Sequence, residues 1–245
     1  MEESTDNRPA RVIEEARAEY TERDRRSARF SAARRAADRG IRDRTARSYA
    51  RIMRSVGIIP LGRRAVLDVG CGDGEFLLRC RDEWGQTDAP LCGIDLMENR
   101  IDDLMSRVPF LDARAGSADA LPWDDNTFDL CHQSMLLSSV LDEDLRLRMA
   151  KEMQRVTAPG GFVLWYDFTW NPVNKATVGM PLKRVRSYFP GWEVAQRKRV
   201  TLAPPLSRPL ARVSNRLIEI IEACRIFNTF ELLLLRKPDQ TSDLS

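Results

Sequence analysis

The sequence predicts an α/β protein, one doubly wound, mainly parallel sheet of seven strands behind a helical N-terminal cap. Three observations predict it. Between residues 65 and 168, short apolar or β-branched runs alternate with amphipathic stretches of helical length, the pattern of successive βαβ units. Gly70, Gly72 and Gly74 stand between the first such run and the first such stretch. Residues 1–64 hold 17 Arg and 10 acids, a net of +7, against 22 basic and 26 acidic residues, a net of −4, in 65–245.

The elements follow in order. Residues 1–10 are polar and aperiodic, which predicts a disordered tail and no secretory leader. Residues 11–60 read as an Arg-rich helical extension. Ile13, Ala16 and Tyr20, then Ile41, Ala46, Tyr49, Ile52 and Met53, recur at helical spacing, so two or three amphipathic helices are expected, broken at Gly40 and closed by Gly57 and Pro60. The sheet domain spans 61–238, and 239–245 is a second disordered tail. Strands are expected at 65–70, 91–96, 111–117, 128–135, 162–168, 191–202 and 228–237. Helices are expected at 74–84, 97–108, 142–157 and 209–227, and "APGG" (158–161) is the turn before the fifth strand.

Composition narrows the class. Hydrophobic residues at 43% supply a core and 31% charged residues a water-facing surface. No run reaches the roughly 18–20 apolar residues of a membrane helix, and a cytoplasmic protein is expected. The five cysteines (Cys71, Cys80, Cys92, Cys131, Cys224) form no CxxC pair, so they read as reduced core thiols. His132 is the one histidine, which removes histidine-rich metal sites. No metal is expected.

The chemistry concentrates in "VLDVGCGDGEFL" (66–77). A glycine turn at the carboxyl end of the first strand lies where open α/β sheets bind nucleosides. The spacing is G-C-G-D-G, not the G-x-G-x-x-G that sets a pyrophosphate on a helix N-terminus. Asp68 precedes the glycines, and an acid there would repel a pyrophosphate. S-adenosylmethionine, a sulfonium with an α-amino group and no phosphate, suits the loop better. Asp95 ends the second strand, where a carboxylate can accept both ribose hydroxyls. "AGSADALPWDDNTFDL" (115–130) puts Asp119 after the third strand.

"VLDVGCGDG", "GIDL", "GSADALPWDDNTFDL" and "EMQRVTAPGGFVL" together resemble the class I S-adenosylmethionine-dependent methyltransferases, a Rossmann-like family. The likeness is to the quinone-biosynthesis or type 11 group. It covers about 62–168, in the family's order and spacing. It implies that Asp68, Gly70, Gly72 and Gly74 bind the methionine moiety. Asp95 would hold the ribose and Asp119 and Ala120 meet the adenine edge, with Cys71, Leu96, Ser117, Ala118 and Gln133 as further cofactor-binding candidates. The family's "LKPGG" lysine is replaced by Ala158, so the turn stays and its charge goes. "VLWYDFTWNPVNK" and "RVTLAPPLSRPLARVSNRLIEIIEA" resemble small bacterial enzymes of glycan and natural-product pathways, which implies a small-molecule acceptor. S-adenosylhomocysteine would be the product.

Transfer is an in-line displacement, aided by alignment; a base is needed where the acceptor is a hydroxyl. His132 and Asp167 are the candidate bases and Tyr166 an orienting hydroxyl, all expected near the mouths of the fourth and fifth strands. Alternation along the fifth strand puts Trp165 and Asp167 on one face, Leu164 and Tyr166 on the other. Trp165 and Trp170 read as packing before acceptor stacking. The N-terminal helices and residues 168–190 would cover the acceptor. An RNA methyltransferase with a basic N-terminal arm is the alternative, though ten interleaved acids argue against nucleic acid. A cofactor-binding subunit without catalysis is another. An NAD-dependent oxidoreductase fits least.

Overall fold

The computed structural model describes residues 8–170, 177–202, 210, 218, 220–222 and 228–239. Seven strands form one sheet in the order β3-β2-β1-β4-β5-β7-β6: β1 Val66–Val69, β2 Leu91–Asp95, β3 Asp112–Ala115, β4 Phe128–Ser134, β5 Thr157–Phe168, β6 Glu193–Leu202 and β7 Asn228–Arg236. The first five are parallel; β7 runs antiparallel to both β5 and β6. β1 and β2 are buried at every position, which is why they read as unbroken apolar runs, not alternation. The strand order reverses beside β1, so the crevice beyond its carboxyl end lies at the topological switch point.

Six helices with fully described bounds flank the sheet: α1 Arg8–Ala28, α2 Ala32–Arg54, α3 Glu75–Asp82, α4 Glu98–Arg107, α5 Glu143–Val156 and α6 Leu182–Tyr188. One face packs Tyr49, Ala50 and Met53 of α2, Phe76 and Leu77 of α3 and Leu104 of α4 on Leu130, Leu164, Tyr166 and Leu232. The other packs Met149, Ala150 and Met153 of α5 and Val185 and Tyr188 of α6 on Val69, Cys131, Val163, Trp165 and Leu233.

Three expectations change. α2 runs unbroken through Gly40, and the break falls at Arg29–Ser31, where the Ser31 hydroxyl caps α2 by accepting from Arg34 N. A capping serine ends a helix more firmly than an interior glycine, which costs only about 1 kcal/mol. α1 already begins at Arg8, inside the expected tail 1–10; residues 1–7 and 240–245 lie outside the described residues. β5 begins at Thr157, and its register against β4 jumps from Thr157 to Phe162. The "APGG" turn is thus a bulge within the strand, made possible by Gly160 at φ +70°. The helix expected at 209–227 falls mostly outside the described residues, as do 171–176 and Cys224. The other four cysteines are free and buried.

Four arginines of the cap pair within their own helix: Arg11–Glu15, Arg17–Glu14 and Arg26–Glu22 in α1, Arg34–Asp38 in α2. Among the described residues, no helix is long and apolar enough to cross a membrane, and no cluster of His, Cys, Asp or Glu could hold a metal ion.

Candidate active site

β1 runs into a turn in which Gly70, Gly72 and Gly74 have φ of +81°, +52° and +76°, a region L side chains adopt only with strain. Gly70 N and Cys71 N both donate to Ile94 O (2.8 and 2.9 Å), tying the turn to β2. A Cβ on Gly74 would lie 2.6 Å from the Leu104 side chain, so α4 closes that position. A Cβ on Gly72 would meet nothing within 4 Å: the turn leaves open space there.

Asp95 closes the other side of the crevice. Its Oδ2 accepts from Gly72 N (3.0 Å) and its Oδ1 from Met97 N (2.9 Å), which fixes the carboxylate while leaving further lone pairs. Arg100 Nη1 stands 3.6 Å away and is itself gripped by Asp24 of α1 through two hydrogen bonds of 3.0 and 2.6 Å. The N-terminal cap therefore reaches the acid end of the crevice, through two residues that carry no motif.

Further along the edge, Asp119 accepts from Ser117 Oγ (2.5 Å) and from Arg148 Nε (3.1 Å). Ala118 is buried, Ala120 exposed and Leu96 half-buried. Cys71 turns inward: a Cβ at Gly93 would sit 2.8 Å from its Sγ, so the thiol packs beneath β2 and only its backbone faces the crevice. Burial, with Asp68 next, pushes that thiol far above its usual range. Gln133 is fully buried, accepts from Leu136 N (3.1 Å) and donates to Tyr166 O (3.4 Å), bracing the ends of β4 and β5.

The three candidate catalytic residues do not meet. His132 lies inside β4, two residues before its end, opposite Asp68 of β1. Its Nδ1 is 2.7 Å from Asp68 Oδ1, its ring stacks on Phe76 (3.7 Å between centroids), and its buried Nε2 has no partner. Both His132 and Tyr166 meet Tyr49 of α2 edge-on, at 5.2 and 5.7 Å. The Tyr49 hydroxyl bonds the Ser134 side chain, and burial, then Tyr166, raises that phenol well above its usual range. Tyr166 donates to Thr201 Oγ1 (2.8 Å). Asp167 departs from this group. It sits on the opposite face of β5, fully buried, accepting from Phe168 N (2.9 Å) and from Ser138 N (3.3 Å). Burial pushes its carboxyl up to about 7. Alternation along the strand puts the adjacent Tyr166 and Asp167 back to back.

An open parallel sheet with a glycine turn and a ribose-spaced acid at its switch point defines a nucleoside-cofactor-binding α/β protein. The comparisons say which. Residues 66–161 match the family model described as methyltransferase domain. The chain is 33% identical over 117 residues to a demethylmenaquinone methyltransferase of Bacillus mycoides, covering 46% of this chain and 47% of that one. It is 32% identical over 100 residues to a malonyl-[acyl-carrier protein] O-methyltransferase of Erwinia billingiae, covering 41% and 37%. The chain thus spans less than half the length of these relatives. Among solved structures, the cyclase SpnF superposes with a TM-score of 0.52 at 18% identity, covering 73% of this chain and 76% of that one. A methyltransferase-like chain solved with the Haloferax volcanii Trm112 activator gives 0.58 at 19%, covering 85% and 96%; both are likenesses of fold. Residues 66–161 are thus similar to methyltransferase domains, and the cofactor which that likeness implies is S-adenosylmethionine. The residues fit that cofactor: open space over Gly72, an anchored Asp95 with lone pairs to offer, and an acidic turn suited to a cation.

Proposed function

We propose that this protein moves a methyl group from S-adenosylmethionine to a small-molecule acceptor, at an oxygen of a sugar or secondary-metabolite scaffold, peptide natural products included. The observation that carries the reading is the buried Asp68–His132 pair with its unpartnered Nε2. A carboxylate 2.7 Å from Nδ1 holds the proton on that nitrogen, which leaves Nε2 with its lone pair. That is the arrangement of an oriented general base, and a hydroxyl acceptor is the kind that needs one. The O-methyltransferase among the relatives supports oxygen as the receiving atom.

When bound, S-adenosylmethionine supplies a methyl on a sulfonium, an electrophile with a good thioether leaving group. Gly72 would admit it by close backbone approach, with Gly70 and Gly74 packed against Leu136 and Leu104 to hold the turn. Asp95 would accept from its ribose, and Asp119 and its neighbours would line the adenine side. His132 takes the acceptor's proton, Asp68 keeps the imidazole oriented, and Tyr49 and Tyr166 wall the acceptor side. Asp167 serves as the anchor of the turn at Leu137–Ser139. The basic arm of an RNA enzyme is a weaker reading, because Arg11, Arg17, Arg26 and Arg34 of the cap already pair with acids of their own helices.

Calorimetric titration with S-adenosylhomocysteine, with NAD as control, is expected to give micromolar one-to-one binding and no NAD signal. Binding of NAD alone would remove the reading. Once a mass-gain screen has found an acceptor, His132→Gln should lower transfer about 10²–10⁴-fold with S-adenosylhomocysteine affinity within twofold. Wild-type transfer by that variant would end the assignment of the base.

A further inference from the structure

The sheet's carboxyl edge holds a second feature, outside the cofactor crevice. α2 presents Arg44, Arg47 and Arg51 on one stripe, spaced i, i+3 and i+7. β6 presents Lys198 and Arg199 opposite them, and a cavity of about 420 Å³ opens between. Arg47 and Lys198 already have partners, which leaves Arg44, Arg51 and Arg199 against one acid, Glu222, among the described residues. Arg44 is only 8% exposed; its Nε lies 3.3 Å from Glu222 Oε2 outside hydrogen-bond geometry, and its Nη2 has no hydrogen-bond partner among the described residues. Asn228, at the same wall, donates to Arg199 O and Glu222 O and leaves its own Oδ1 unpaired. A buried guanidinium with unmet donors is costly, and a cavity of this size has room for the missing acceptor.

The cavity stands level with the active site. Leu202 pairs with Asn228, Val200 with Phe230, and Phe230 with Phe168 at the end of β5. The cationic wall therefore lies at the edge of the sheet that carries the glycine turn. Three to four strand spacings separate them, roughly 14–19 Å. The path between is continuous: His132 meets Tyr49, Tyr49 meets Tyr166, and the Tyr166 hydroxyl bonds Thr201 in the cavity wall.

We propose that this cavity is the subsite for a phosphoryl group of the methyl acceptor, a monophosphate or diphosphate ester carried on the side remote from the methylated atom. The proposal rests on the methyl-transfer reading above. Arg44, Arg51 and Arg199 exceed what the single carboxylate of Glu222 would neutralise among the described residues, and guanidinium pairs match phosphoryl oxygens two at a time. A concavity of this size suits a discrete group; a nucleic-acid backbone would need an extended groove.

The test is calorimetry on the full chain at low salt with inorganic pyrophosphate as probe, succinate as the carboxylate counterpart, and S-adenosylhomocysteine titrated separately. Saturable one-to-one pyrophosphate binding is expected, at least tenfold tighter than succinate and unchanged by saturating S-adenosylhomocysteine. Arg51→Gln, at an exposed wall position, should weaken it about threefold or more, and Arg44→Met tenfold or more. Glu222→Gln, which keeps an oxygen for Leu202 N, should tighten it severalfold. That opposite sign separates a charged subsite from general damage to the fold, even if Arg44→Met fails to fold. Absent pyrophosphate binding in a chain that binds S-adenosylhomocysteine overturns the subsite and leaves the methyltransferase reading standing. So does binding that Arg51→Gln and Glu222→Gln leave unmoved. Succinate binding as tightly overturns the phosphoryl assignment, and competition with S-adenosylhomocysteine overturns the separation of the two sites. A chain that binds pyrophosphate but not S-adenosylhomocysteine removes the methyl-transfer reading instead.

Discussion

The two halves of the sheet's carboxyl edge are built by different means. The half proposed for the cofactor, around β1 and β2, is made mostly of backbone: positive-φ glycines, Gly70 N and Cys71 N on Ile94 O, and Gly72 N on the Asp95 carboxylate. The half proposed for the acceptor, around α2, β5, β6 and β7, is made of side chains brought together from far along the chain: Asp68 with His132, Tyr49 with both His132 and Tyr166, Tyr166 with Thr201, Arg44 with Glu222. A binding site for one fixed cofactor can be set by local conformation. A site for a particular acceptor is set by side chains, which can change while the backbone stays.

The largest expected effect tests how completely the sheet separates its two faces at β5. Asp167 titrates near 7 in the folded protein against an ordinary 3.8. The folded state therefore holds a proton that the unfolded chain releases, between about pH 4 and 7. Its contribution to stability is whole below that window, falls as pH rises through it, and is flat above about 7. Asp167→Asn has no proton to lose, so the slope of unfolding free energy over pH 4–7 should flatten, on the order of a few kcal/mol across the window. The single amide oxygen cannot serve both Phe168 N and Ser138 N, which offsets part of the gain at high pH. Urea unfolding at stepped pH gives the slope; an unchanged slope would mean that Asp167 is wetter than the fold has it.

Asp95→Ala comes next. It removes the carboxylate that fixes Gly72 and is assigned to the ribose, so S-adenosylhomocysteine affinity should fall tenfold or more. Pyrophosphate affinity at the cationic cavity should stay within twofold. Loss of both would join the halves into one cooperative site. This asymmetry is also the measure of what the sequence made legible. The glycine turn, Asp95 and the alternating elements could be read because each is a local pattern. Asp68 was legible as a position but not as the partner of His132, since pairing across β1 and β4 depends on register. Tyr49 was visible only as a helical apolar position, and Arg44, Arg47 and Arg51 only as part of a charged face, because which α2 stripe meets the sheet is decided by packing. The break at Ser31 was missed for the opposite reason: Gly40 gave a louder signal than a capping hydroxyl.

The smallest effect bears on the link between the halves. Tyr166 stacks on Phe230 (5.0 Å), meets Tyr49 edge-on, and places its hydroxyl on Thr201 at 2.8 Å, with burial raising its phenol far above the usual range. Tyr166→Phe keeps the ring and removes only the hydroxyl. Thr201, 6% exposed, then loses a buried donor, so stability should fall by about 1 kcal/mol. Because the ring still fills the space between α2 and β5, S-adenosylhomocysteine affinity should not move, while pyrophosphate affinity should fall about two- to threefold as Thr201 is freed to turn. If cofactor affinity falls in step with stability, the hydroxyl couples the two halves, and the acceptor side helps to shape the cofactor crevice. If only the pyrophosphate term moves, the division holds at single-atom resolution. The fixed backbone site and the adaptable side-chain site then share one sheet edge without sharing their energetics.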